Sequence, residues 1–231
     1  MLYQLQKDLR RLVNPEKAKL LQRFFKTGKG EYGEGDVFLG IIVPEQRKIA
    51  SKYRTLTLKE IQELLKSKIH EERMTALFIL TDQYKKGDGS IKAKIFNFYL
   101  KNTKNINNWD LVDLSAVKIV GHYLYDKDKS IIYELIKSKN IWERRIGVMA
   151  TFYFINQKEY MDALRICEKL LHDKHDLIHK ATGWMLREIG KRNLGEEEKF
   201  LKKYYKIMPR TMLRYAIEKF EIKKRQFYLL S

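Results

Sequence analysis

A single cysteine, Cys167, stands among 231 residues, which excludes a disulfide within the chain. With apolar Ile166 and Leu170 beside it, that thiol reads as a small core residue rather than a nucleophile. Prolines number only three, so little interrupts helix formation. Long apolar runs are missing as well: the longest, near 146–154, falls far short of the roughly 20 residues that span a bilayer. The N-terminal Met1-Leu2-Tyr3-Gln4-Leu5-Gln6-Lys7 has no signal-peptide apolar region, so the expectation is a soluble intracellular protein, cytoplasmic or nucleoid-associated, with no membrane partner. Acidic residues are in deficit, 29 against 47 Lys and Arg, and the resulting +18 favours a polyanionic partner. Charge alone leaves nucleic acid and an anionic membrane surface both open.

What is present is helical patterning. Apolar residues at helical spacing predict helices near 2–12, 16–26, 45–53, 58–66, 71–85, 90–101, 108–125, 129–138, 141–155, 159–171, 176–192, 196–206 and 210–220, and no segment alternates as a strand does. Asn14-Pro15-Glu16 reads as a cap followed by a first-turn proline, and Met208-Pro209 introduces the last amphipathic stretch. With 44% hydrophobic residues, the chain is long enough for one large domain: N-terminal helices over 1–27, a glycine-rich connection over 28–37 and a body over 38–231.

That body repeats. Arg73, Trp109, Arg145 and Lys180 open comparable apolar stretches at steps of 36, 36 and 35 residues, the period of stacked helix pairs. Counting from these residues, positions one, three and five are mostly apolar core. Positions zero, four and seven fall in one narrow sector and read Arg73-Leu77-Leu80, Trp109-Asp113-Ala116, Arg145-Met149-Phe152 and Lys180-Trp184-Arg187. In a solenoid such a sector forms rows across one surface, commonly a concave one. The unusual chemistry of the chain is therefore expected on a basic concave face, with Asp113 and the indoles of Trp109 and Trp184 sharing a groove.

Other patterns are weaker. Asp110 and Asp113 lie in the first turns of a helix that Asn107 is expected to cap, where a carboxylate is favoured by unpaired amides; for Asp110 that explanation suffices, whereas Asp113, deeper in and in the sector of Trp109, is open to either reading. Arg145 and Arg187 sit in strongly apolar helices and suit phosphate clamping. Arg210, Arg214, Lys219, Lys223, Lys224 and Arg225 offer backbone contact without sequence reading. Gly28-Lys29-Gly30-Glu31-Tyr32-Gly33 has the GxGxxG form, but it follows a helix and Glu31, Glu34 and Asp36 repel a pyrophosphate, so it is read as a connection that brings Phe38-Leu39-Gly40-Ile41 back onto the first repeats. His172, His175 and His179 lack a completing carboxylate or cysteine and are expected to cap or pack rather than bind a metal.

The segments Asn108-Trp109-Asp110-Leu111-Val112-Asp113, Ile141-Trp142-Glu143-Arg144-Arg145, Ile178 through Arg187 and Met208 through Ala216 resemble, in order, the DNA alkylation repair family of AlkD-like glycosylases. The resemblance runs from about residue 30 to the C-terminus and implies an all-α, HEAT-like repeat solenoid. It implies that Asp113 is the catalytic carboxylate, flanked by Trp109 and Trp184, and that Arg145 and Arg187 hold the DNA backbone; Lys180 in the same sector and Arg210 and Arg214 in the basic C-terminal stretch are expected as further DNA contacts on charge and position. The implied reaction is hydrolysis of the N-glycosidic bond of cationic N3- or N7-alkylated purines in duplex DNA. It is monofunctional, leaves an abasic site and uses no cofactor; the lack of a persuasive ligand set favours metal-free chemistry, and a monomer is the default expectation. Asn108 stands where some members carry a second aromatic. A non-catalytic nucleic-acid-binding scaffold and a protein-interaction adaptor are the competing functions, separable by base release and by the salt dependence of DNA binding.

Overall fold

The computed structural model describes residues 1–230, and among them no strand forms, only an isolated parallel bridge between Val37 and Ile69. Every other regular element is helical. The chain divides after Ser115 into two compact units.

The first unit holds α1 (Leu2–Arg10), α2 (Pro15–Phe24), α3 (Val43–Lys52), α4 (Leu58–Leu65), α5 (His70–Lys86), α6 (Gly89–Lys101) and α7 (Trp109–Ala116), whose last turn passes the division. Asn14 caps α2 as its sequence suggests, its Oδ1 accepting from the Lys17 N–H at 2.9 Å with Pro15 in the first turn. Thr57 and Glu60 form a reciprocal capping box at the start of α4. Helix α5 is the centre: α1, α3 and α4 pack on it and every residue from His70 to Leu80 is buried. A helix covered all round shows no amphipathic stripe, and its charged N-terminal residues then need partners inside the protein.

From Ala116 onward the second unit runs through a π-turn (Val117–Gly121), α8 (His122–Leu124), α9 (Ser130–Leu135), α10 (Ile141–Asn156), α11 (Met161–Lys169), α12 (Asp176–Gly190), α13 (Leu194–Tyr204), α14 (Arg210–Ala216) and α15 (Ile222–Leu230). Helix α10 is surrounded by the π-turn, α9, α11 and α12, and α12 in turn carries α13 and α14. The approach of α12 to α14 requires Gly183: a Cβ there would lie 2.3 Å from the Met212 carbonyl oxygen.

Three expectations change. The helix predicted over 108–125 is interrupted by the π-turn, where Gly121 comes so close to α10 that a Cβ would lie 2.3 Å from the Ala150 carbonyl oxygen. Helix α15 forms without a helical apolar period in its sequence, since its apolar residues follow no stripe: Ile222, Phe227 and Leu230 are exposed while Tyr228 is buried. The sector of positions zero, four and seven is not one open row. Arg73, Leu77 and Leu80 are buried under the helices around α5, and Arg145 and Met149 under those around α10, whereas Trp109, Asp113, Lys180, Trp184 and Arg187 remain partly exposed. No helix of the described residues is long and apolar enough to cross a membrane.

Candidate active site

Trp109, the first residue of α7, rests on a nest of rings. Its indole lies face to face with Phe25, centroids 5.0 Å apart and planes 16° from parallel, and Phe24 meets it edge-on at 5.8 Å. Phe25 in turn contacts Phe38 at 5.0 Å and His70 at 5.2 Å, and Phe38 and His70 stack at 4.4 Å. Such contacts add about 0.5–1.5 kcal/mol each beyond burial, enough to fix the angle of a half-exposed indole. Beside the nest opens a cleft of about 250 Å³ walled mainly by Phe24, Phe25, Phe38, Ile41 and Val43.

Beneath the rings lies a buried set of four charges. His70 sits between two carboxylates, Nδ1 at 3.2 Å from Asp36 Oδ2 and Nε2 at 2.8 Å from Asp110 Oδ2. An ionised carboxylate only accepts, so the protonated imidazole is the form that donates to both partners at once. Burial opposes that charge, but Asp110 and then Asp36 outweigh it and hold the His70 pKa above its ordinary value. Arg73 closes the set with Nη2 at 2.6 Å from Asp36 Oδ2, and against the cost of burial the Asp36 carboxyl is held below its usual range by His70 and Arg73.

The segment that carries Asp36 is sewn to the start of α5. Val37 donates its N–H to the Lys68 carbonyl at 3.0 Å, and its carbonyl accepts from the His70 N–H at 2.9 Å. The buried Glu71 carboxylate accepts from the backbone N–H groups of Leu39, Gly40 and Ile41. Gly33 is pressed so near the end of α2 that a Cβ would lie 2.5 Å from the Phe25 carbonyl oxygen. The glycine-rich stretch satisfies itself, with Glu31 accepting from Gly28 N–H and Glu34 from Gly30 N–H, both at 2.8 Å. Anionic side chains occupy the amides a phosphate would need.

Asn108, not Asn107, stands at the start of α7: its carbonyl accepts from the Val112 N–H and its Oδ1 from the Trp109 N–H at 2.8 Å. Asp110 accepts from the Leu111 N–H, as a first-turn acid does, and adds the bond to His70 that its sequence position did not announce. Asp113 is half-buried one turn beyond Trp109. Its charge is felt by Tyr99, whose phenol is pushed up first by burial and further by Asp113, and which bonds Ser115 at 2.9 Å.

In the second unit, Trp184 is half-buried on α12, its Nε1–H donating to Glu188 Oε1 at 3.2 Å with Phe152 at 5.8 Å. Arg187, in the last turn of the same helix, is ion-paired with Glu218. Lys180 pairs with Asp176 at 2.7 Å. Arg145 is buried and donates from Nη1 to the Leu177 carbonyl at 2.6 Å, joining α10 to the start of α12. Arg210 and Arg214 are exposed on α14. His175 caps α12, its Nδ1 accepting from the Leu177 N–H at 3.1 Å, and His179 bonds the Asp173 carbonyl. Cys167 is buried, and burial pushes its thiol pKa up, away from reactivity. Among the described residues no group of His, Cys, Asp and Glu has the arrangement to hold a metal ion.

Residues 5–220 match the family described as DNA alkylation repair enzyme. The chain belongs to that family. None of the curated proteins matches the sequence. Among solved structures, a predicted DNA alkylation repair enzyme from Enterococcus faecalis superposes with a TM-score of 0.69 at 16% identity, over 91% of this chain and 97% of that one. AlkD2 from Streptococcus mutans superposes with a TM-score of 0.58 at 20% identity, over 90% and 99%. These likenesses give the fold, an AlkD-like helical repeat, and family membership gives a role in DNA alkylation repair. Phe38 packs back onto α5 as the sequence suggests, whereas Phe25, His70 and the bond of Asp36 to His70 are the supports that sequence reasoning missed.

Proposed function

We propose that this protein is a monofunctional DNA glycosylase that hydrolyses the N-glycosidic bond of cationic N3- or N7-alkylated purines in duplex DNA. The observation that carries the reading is the pair on α7: an indole braced from below by Phe25 and a carboxylate one turn further on, both half-buried, in a chain of the alkylation repair family.

The chemistry asks little of the protein. Alkylation already places positive charge on the purine, so the base leaves with the electron pair of the C1′–N bond and becomes neutral. Positive charge moves to the deoxyribose. Asp113 stabilises that oxocarbenium-like sugar and orients a water, whose oxygen adds to C1′ while its proton goes to the carboxylate or to solvent. The face of Trp109 attracts the cationic base and sugar through its quadrupole, an interaction of about 0.5–2 kcal/mol. Trp184 is the second indole of the reaction in this reading, and no metal or cofactor takes part.

Binding rests on charge. Arg214 is exposed toward phosphate, Arg210 is exposed with Nη2 on the Leu229 carbonyl and exchanges that bond for it, Lys180 and Arg187 exchange an acidic neighbour, and buried Arg145 serves only by bracing the start of α12. The experiment is release of free 7-methylguanine from methylated duplex DNA. If the natural sequence binds that DNA and releases no base, the family role is served by a non-catalytic scaffold instead.

A further inference from the structure

Trp109 is held from two directions, and both lead to one buried residue. From below, its ring lies on Phe25, and Phe25 is wedged against His70 at 5.2 Å and against Phe38, which stacks on His70 at 4.4 Å. From the side, the residue after Trp109 is Asp110, bonded to His70 Nε2 at 2.8 Å, which fixes the first turn of α7. The same imidazole bonds Asp36 at the end of the glycine-rich stretch. Three elements far apart in sequence meet on one ring.

We propose that His70 is a positioning residue for Trp109, clamped between Asp36 and Asp110 so that the nest of rings and the start of α7 hold the indole at a fixed angle for reaction. This rests on the glycosylase reading for its catalytic consequence, though not for its structural one. His70 is buried, reaching the cleft only at its floor beside Asp110, and its role here runs through Trp109. The charged groups facing it are Asp36 on the connection, Asp110 on α7 and Arg73 on its own helix; the end of α2 and the rest of the connection present Phe25 and Phe38. Deprotonation leaves a ring able to donate from only one nitrogen, so one carboxylate loses its bond and the clamp opens on one side. Because the two carboxylates raise the pKa of His70, the clamp is closed while the imidazole is protonated between ionised carboxylates and loosens as pH rises through that raised value.

The test separates structure from catalysis. In a Trp142→Phe/Trp184→Phe background Trp109 is the remaining indole, and acrylamide quenching reports how tightly it is held. His70→Gln raises the quenching constant about twofold and abolishes its rise with pH above the ordinary imidazole range. Phe25→Leu raises quenching to a similar extent but keeps the pH dependence, because the charged set is intact. With all three tryptophans present, His70→Gln slows single-turnover release of 7-methylguanine about tenfold while duplex affinity stays within about threefold, as expected when a reacting surface is misplaced but binding contacts remain. Asp36→Asn, which keeps the imidazole in place, serves if His70→Gln does not fold. A folded His70 or Asp36 variant with natural quenching and a natural release rate overturns the proposal. If the unaltered protein releases no base, the glycosylase reading falls, and the quenching comparison still decides whether His70 positions Trp109.

Discussion

Glu71 Oε1 accepts the N–H of Gly40 at 2.8 Å, from a carboxylate that also takes the N–H groups of Leu39 and Ile41. One side chain on α5 thus closes the connection that delivers Phe38 to the rings under Trp109. Glu71→Ala leaves three donors without their acceptor and is expected to lower unfolding free energy by about 3 kcal/mol, since bonds to a buried charged acceptor are worth more than neutral ones. Urea denaturation measures this. A loss below about 0.5 kcal/mol, the usual size for an inert surface change, would mean the connection is held by other contacts.

Glu197 on α13 is buried, with Oε1 lacking a hydrogen bond, and burial followed by repulsion from Glu198 pushes its carboxyl up to about 8. The folded protein therefore keeps a proton that the unfolded chain gives up near the ordinary carboxylate value of 4.5. Stability should fall as pH rises between those two values and level off above the higher one. Glu197→Gln removes the ionisation, so it should flatten that slope and stabilise the protein at pH 8.5 by about 1–3 kcal/mol. Thermal unfolding across that range checks the sign; a stability that climbs with pH in the natural protein but not in the variant contradicts it.

Arg210 and Arg214 are exposed on α14 within a chain of formal charge +18. If they neutralise phosphates, duplex affinity should fall steeply with salt, and each Arg→Ala change should reduce the slope of log K against log salt by about 1 while weakening all sequences alike. Fluorescence anisotropy with a labelled duplex at several salt concentrations measures both. Slopes that stay unchanged in both variants would place the DNA contacts elsewhere.

The helical repeat was readable because it is periodic: Arg73, Arg145 and Lys180 fall inside α5, α10 and α12, Trp109 opens α7, and Asn14-Pro15 marks a real helix start. Trp109, Asp113 and Trp184 stand out for their chemistry at helical spacing. The support beneath Trp109 was hidden for a physical reason. His70 meets partners 34 and 40 residues away, and Asp110 looks complete as a first-turn acid before its second bond is known. Arg73 and Arg145 misled in the same way: a charged residue at a surface-like phase is indistinguishable in sequence from one buried against Asp36 or the Leu177 carbonyl.

Asp113→Asn tests the central claim most directly, because it removes the charge and keeps the shape of a half-buried side chain. Single-turnover release of 7-methylguanine from methylated duplex DNA should fall by at least about 100-fold, the scale lost when one electrostatic stabiliser of a transition state is removed, with duplex affinity retained. An Asp113→Asn protein that releases base at the natural rate would contradict the account.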